Sequence, residues 1–129
     1  MTEFHVGETR SIESLELMLA TSTECRLAGT LHSASAQEAL GREFGELHDS
    51  IQAQKIGDFK VDVRGLTFVN SSAIRLFVDW VSRAEAAGYK LHFVTDRAVT
   101  WHRLSFSVLK SLAPNSVAIV EETTAELKG

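Results

Sequence analysis

A chain of 129 residues is the size of one domain, and 44% hydrophobic with 23% charged residues is enough for a packed core, so disorder is not the default reading. The net charge of -4 disfavours nucleic acid as the main partner, because phosphate binding wants a basic footprint. The single cysteine, Cys25, excludes an internal disulfide and points to a reducing compartment; among its apolar neighbours it reads as a buried small hydrophobe.

In chain order, MTEFHVGETR has early acidic residues and no apolar h-region, so it does not read as a secretory signal. No run reaches the length needed to cross a bilayer. A cytoplasmic protein without membrane insertion is expected. Residues 1–13 are weakly patterned and read as an edge strand or an arm. LELML alternates, with Leu15, Leu17 and Leu19 on one side. ECRLAGTL repeats the alternation with Cys25 and Leu27, and the ATST between them reads as a turn, so the pair is a predicted hairpin. Ser35 followed by Glu38 matches a capping box, and Leu40, Phe44, Leu47 and Ile51 recur at helical spacing, which predicts a helix over 36–54. Gly41 and Gly45 share one face of it, where they either permit close approach of a neighbour or weaken the helix by about 1 kcal/mol each. DFKVDVRG is the clearest strand, with Phe59, Val61 and Val63 on one face and Lys60, Asp62 and Arg64 on the other. A helix over 72–87 stops at Gly88, a usual C-cap residue. KLHFVT is the next strand, AVTWHRLSFSVLKSLA a third helix ended by Pro114, and SVAIV a last strand; residues 121–129 form a polar tail.

The predicted order is β-β-α-β-α-β-α-β in one domain over 1–129. Strands alternating with helices imply an α/β fold with a mixed, largely parallel sheet joined by right-handed crossovers. A sheet covered on both faces has nearly continuous apolar strands. The charged face of Phe59 to Arg64 therefore predicts helices packed on one side and an open face on the other.

Enzyme templates fail. His5, His32, His48, His92 and His102 show no metal-ligand spacing, and one cysteine cannot supply a thiolate cluster, so no metal is implied. No glycine-rich loop resembles a phosphate or dinucleotide cradle, so no cofactor is implied. Ser71 and Ser72 are not in a GxSxG elbow, and Asp79 and Glu85 read as a solvated helix face. The chain is expected not to be an enzyme. The serines have a local reading: Asn70, Ser71 and Ser72 are three successive N-cap candidates for one helix, which leaves at least one hydroxyl for another purpose. In the helix that follows, Ile74, Phe77, Val78, Val81 and Ala84 form the core stripe, while Leu76 and Trp80, flanked by Ala73 and Ala87, lie off it. That second stripe packs on a neighbouring helix or on another protein.

VDVRGLTFVNSSAIRLFVDWV resembles the signature of the STAS domain, found in anti-sigma factor antagonists and sulfate transporter tails: a strand, a short loop, then aspartate-serine-serine-glycine opening a helix. Only Phe59 to Val81 matches as a motif, although the element order agrees over nearly the whole chain. The resemblance implies a stand-alone, anti-sigma factor antagonist-like binding protein in a bacterial partner-switching circuit of signal transduction. It implies a phosphoprotein modified at the second serine, Ser72. The partners would be a GHKL-type protein kinase that doubles as anti-sigma factor and a PP2C-type phosphatase. Asn70, Ser71, Ala73, Leu76 and Trp80 are the expected partner-binding residues. Asn70 departs from the usual aspartate and Ala73 from the usual glycine. A related bacterial group carries asparagine-threonine-serine-serine here, is phosphorylated directly after the asparagine, and regulates a diguanylate cyclase; that alignment makes Ser71 the second choice. A further alternative is a passive adaptor subunit of a larger complex, for instance in lipid transport.

Overall fold

The computed structural model describes residues 5–122, so residues 1–4 of the expected arm and 123–129 of the expected polar tail lie outside the described residues. The elements are β1 (Thr9–Ile12), β2 (Leu15–Thr21), β3 (Glu24–Leu31), α1 (Ala34–Ala53), β4 (Asp58–Val69), α2 (Ile74–Ala87), β5 (Lys90–Asp96), α3 (Thr100–Leu112) and β6 (Val117–Glu122). They build one six-stranded sheet whose spatial order follows the chain, β1 to β6. β1 and β2 pair antiparallel, as do β2 and β3, while β3 through β6 are parallel, each crossover supplied by a helix. The weakly patterned start of the chain is thus an edge strand, which adds one β to the predicted order.

The alternation places Leu15, Leu17, Leu19, Cys25, Leu27, Phe59, Val61, Val63, Leu91, Phe93 and Val117 in one core with the apolar sides of all three helices. Its centre is aromatic. Phe44 lies 4.4 Å from Trp80, and Phe77 lies 5.3 Å from Phe44, 5.2 Å from Phe106 and 6.1 Å from Phe93. Such pairs add about 0.5–1.5 kcal/mol each beyond the area they bury. Burial also raises the pKa of the Cys25 thiol, which acts as a core side chain.

The opposite face of β4 carries none of the described helices, but it is not simply wet. Lys60 is exposed, whereas Asp62 is only 6% exposed. Arg64 lies over it, with Nε 3.0 Å from Oδ1 and Nη2 2.7 Å from Oδ2. An Asp at position i and an Arg at i+2 share a face of a strand, so the charged face supplies its own cover. The hydrogen bonds that Arg64 donates to Asp62 hold its guanidinium above its usual range.

Two local expectations shift. The N-cap of α1 is Ser33, whose Oγ accepts from the Ala36 amide at 3.0 Å, while Ser35 donates to Glu13 instead. The strand predicted from DFKVDVRG runs on to Val69, because β3 continues to pair with it as far as Leu31↔Val69. The register slips twice on the way, and Gly65 lies where the slip forces the backbones together: a Cβ there would stand 2.9 Å from Ala28 Cβ. Gly29, at φ +105°, admits no side chain either, since a Cβ would meet the Ser14 carbonyl oxygen at 2.1 Å.

Gly41 and Gly45 permit close approach: they are where α1 meets α2, under Leu76 and Arg83. Beside them runs a relay that is buried at Trp80 and half-buried at His48. Trp80 Nε1 donates to Tyr89 Oη at 2.9 Å, and Tyr89 Oη lies 2.7 Å from His48 Nδ1. With the hydroxyl accepting from the indole, its proton goes to a neutral His48. Burial pushes the Tyr89 pKa up to about 12. Burial, assisted by Arg83, lowers the His48 pKa against the opposing pull of Asp49. A histidine with a depressed folded pKa stabilises the fold above its unfolded value of 6.5 and loses that contribution as pH falls through the folded value. Urea midpoints measured from pH 7 to 5 are therefore expected to fall less in His48→Gln than in the parent. A parent curve as flat as that of the variant would refute the relay.

Candidate functional site

The two serines sit where β3 and β4 end side by side. The Asn70 amide donates to the Leu31 carbonyl at 3.2 Å and its side-chain Nδ2 to the His32 carbonyl at 3.0 Å, so Asn70 bolts the end of β4 to the end of β3. From there the chain makes one tight turn, with the Ala73 amide 3.0 Å from both the carbonyl and the Oδ1 of Asn70. α2 begins at Ile74, after this turn, and its N-cap position, Ala73, makes no side-chain cap. The helix expected from residue 72 therefore starts two residues later, and neither serine caps it; the capping is done by Asn70, on the turn.

Ser72 is exposed and hydrogen-bonded. Its Oγ donates to Asn70 Oδ1 at 3.0 Å and accepts from Gln37 Nε2 at 3.2 Å, and Gln37 Nε2 also reaches Asn70 Oδ1 at 3.0 Å. Ser71 is exposed, and none of the described residues hydrogen-bonds its hydroxyl. Gln37, on the first turn of α1, is the site residue that sequence reading missed. Its only signal is its place in the turn after the Ser33 cap, which means nothing until β3 and β4 are paired. Exposed His32 and Phe68 flank the turn, their rings 6.3 Å apart, and Phe68 is 49% exposed.

The partners of Ser72 are two neutral amides. No acid or base among the described residues hydrogen-bonds either serine, so nothing here activates a hydroxyl for attack. Among the described residues no group of three or more His, Cys, Asp or Glu side chains could hold a metal ion. No described helix is long and apolar enough to cross a membrane. What the turn offers is a presented hydroxyl next to the N-terminus of a fourteen-residue helix, where added negative charge is tolerated.

The expected partner surface divides. Asn70, Ser71 and Ser72 come together at the turn. Ala73 is fully buried, its methyl group filling space under the turn where the resembling family usually has glycine. Leu76 is half-buried and packs over Gly41. Trp80, expected off the core, is a correction: it is 1% exposed, stacked on Phe44 and 6.0 Å from Phe59. The physical reason is the glycine pair on α1, which brings that helix close enough to cover the second stripe of α2. The core stripe of α2 rotates accordingly, leaving Ile74 and Val78 half-buried. An open groove of about 380 Å³ remains between the two helices, lined in part by Gly41, Gly45 and Leu76.

No family model matches the chain, and no curated protein matches it by sequence. Solved structures do. The activator SiaC, from the crystal structure of the diguanylate cyclase SiaD in complex with its activator SiaC from Pseudomonas aeruginosa, matches with a TM-score of 0.66 at 15% identity, over 88% of this chain and 96% of that one. The anti-sigma factor antagonist SpoIIAA in its unphosphorylated form matches with a TM-score of 0.58 at 17% identity, over 88% and 92%. The six-stranded sheet with three helices on one face is the STAS fold of these two regulators.

Proposed function

We propose that this chain acts as a single-domain, non-enzymatic regulatory binding protein of the cytoplasm, switched by phosphorylation of Ser72. The observation that carries the reading is the state of that hydroxyl: exposed, without a base, yet joined to Asn70 and Gln37 across two elements. Phosphorylation removes the proton that Ser72 gives to Asn70 Oδ1 and adds about -1.5 to -2 charges beside an acceptor oxygen. Asn70 and the phosphate then repel, Gln37 must choose between them, and the surface joining α1 to the turn is rebuilt. The α2 dipole offsets the charge, so the fold itself changes by less than about 1 kcal/mol. The partners implied by the STAS resemblance are a GHKL-type kinase that doubles as anti-sigma factor, and a PP2C-type phosphatase. They would meet Asn70, Ser71, Ser72 and Leu76.

A second reading has its own support. Ser71 is the hydroxyl with no hydrogen bond among the described residues, and the neighbour with a TM-score of 0.66 is the activator of a diguanylate cyclase. Under that reading Ser71 accepts the phosphate and the partner is a cyclase. Incubation with the cognate kinase and ATP, followed by peptide mapping, separates the two. Phosphate on Ser72, lost binding in Ser72→Asp and constitutive binding in Ser72→Ala support the first. Phosphate on Ser71 alone moves the site by one residue. An unmodified turn with partner binding intact leaves a passive adaptor.

A further inference from the structure

The acidic residues of this chain are unevenly placed. From Arg97 to Val120 the sequence has no Asp or Glu but contains Arg97, Arg103 and Lys110, so that segment carries +3 and the remainder of a chain of net -4 carries -7. α3 lies inside it. His102, Phe106 and Leu109 turn its inner side to the core. On its outer side Leu104 is 65% exposed, Val108 50% and Leu112 57%. At i, i+4 and i+8 they form one continuous row about 12 Å long, and half-buried Trp101 extends the row by one turn. Scattered exposed leucines need no explanation, but an aligned row on a helix otherwise edged by the exposed polar residues Thr100, Arg103, Ser107, Lys110 and Ser111 marks an interaction face.

We propose that the outer face of α3 docks an acidic amphipathic helix of a protein partner, whose apolar ridge packs on Leu104, Val108 and Leu112. The surface is separate from the serine turn, and the inference does not rest on the phosphorylation reading. Charge selects the occupant. The -7 remainder repels an acidic helix and the basic segment attracts it, which biases it toward α3. A second copy of this chain is disfavoured, because an isologous contact sets the +3 segment against itself. An anionic membrane is disfavoured because it is an extended surface that also faces the -7 remainder, whereas a short helix can meet the basic segment alone. The row offers roughly 300 Å², well below the ~800 Å² per partner of a stable interface. The contact is therefore weak and salt-sensitive by itself.

The test uses the whole protein and a fluorescent synthetic helix with leucine at heptad positions a and d and glutamate elsewhere. A second peptide replaces every glutamate with lysine. Anisotropy at low salt is expected to give a Kd on the order of 100 µM for the acidic peptide. Binding should weaken at least tenfold for the lysine peptide, and at least tenfold in Leu104→Glu and in the milder Val108→Gln, both with unchanged thermal midpoints. Equal binding of the two peptides, or binding indifferent to both substitutions, overturns the proposal. Self-association in sedimentation that Leu104→Glu abolishes overturns it in favour of a second copy. Co-sedimentation with phosphatidylserine vesicles that Leu104→Glu abolishes, with no peptide binding, overturns it in favour of a membrane surface.

Discussion

Trp80→Ala is expected to lose about 4 kcal/mol of unfolding free energy, the scale for truncating a fully buried aromatic side chain. The site cannot collapse to fill the gap. The Trp80 side chain sits between α1 and α2, with Phe44 at 4.4 Å on one side and Phe59 at 6.0 Å on another; Phe44 is itself packed on Phe77, and Phe59 is held in β4. A cavity of indole size would stay open there, as rigid packed interiors relax only in part. The truncation also strips the donor from Tyr89 Oη, which sits 2.9 Å from the indole nitrogen in a buried position. Trp80→Phe keeps most of the stacking and removes only that donor, and should lose about 1–2 kcal/mol. Urea unfolding of the two variants checks both figures. A loss below about 1 kcal/mol in Trp80→Ala, with partner binding abolished, would return Trp80 to the surface.

Why sequence reading put Trp80 off the core is physical. A helical wheel reports the angle between residues and not how many neighbours a helix has. In the sequence Leu76 and Trp80 form a separate stripe, and Gly41 and Gly45 a pair on one face, but nothing in either segment says that the two faces meet. Period-two alternation in β2, β3 and the first half of β4 was legible, because one buried face imposes it at every second residue. In the second half of β4 the alternation changes phase: Val63 and Leu66 are both buried and Phe68 is half exposed, since the register with β3 slips near Ala28 and Thr30. Such a slip lives in a pair of strands and cannot be read from one. The turn at Asn70 was legible in kind, as a polar run with capping chemistry before an apolar helix. Its wiring was not, because Gln37 and His32 reach Asn70 from thirty or more positions away. The outward row on α3 was visible as letters, yet only the position of the core shows that Leu104, Val108 and Leu112 face away from it.

His102→Phe is expected to lose about 3 kcal/mol, with the damage concentrated below the serine turn. β4 pairs with β5 only as far as Asp62↔Val94, after which the strands part and the backbone groups of β4 on that side need other partners. His102, fully buried on the first turns of α3, supplies one. Its Nε2 donates to the Leu66 carbonyl at 2.8 Å, and its Nδ1 accepts from the Asp96 amide at 3.2 Å. One imidazole thus replaces a rung of the sheet and ties α3 to two strand ends. Phenylalanine keeps the ring volume and the contacts with Trp101 and Phe106, whose centroids lie 4.3 and 6.3 Å away. It leaves a buried carbonyl and a part-buried amide without the bonds they make to the ring, and each such group costs about 1–3 kcal/mol. The substitution therefore separates polar satisfaction from packing. Urea unfolding gives the total, and hydrogen exchange gives the location: faster exchange across residues 66–70 and 94–97, with α1 protected as before once global stability is matched. Because Leu66 is four residues before Asn70, loosening that segment should also loosen the turn and weaken partner binding through Ser72. A variant as stable as the parent, with unchanged exchange at both strand ends, would mean that the histidine holds nothing the ring alone does not.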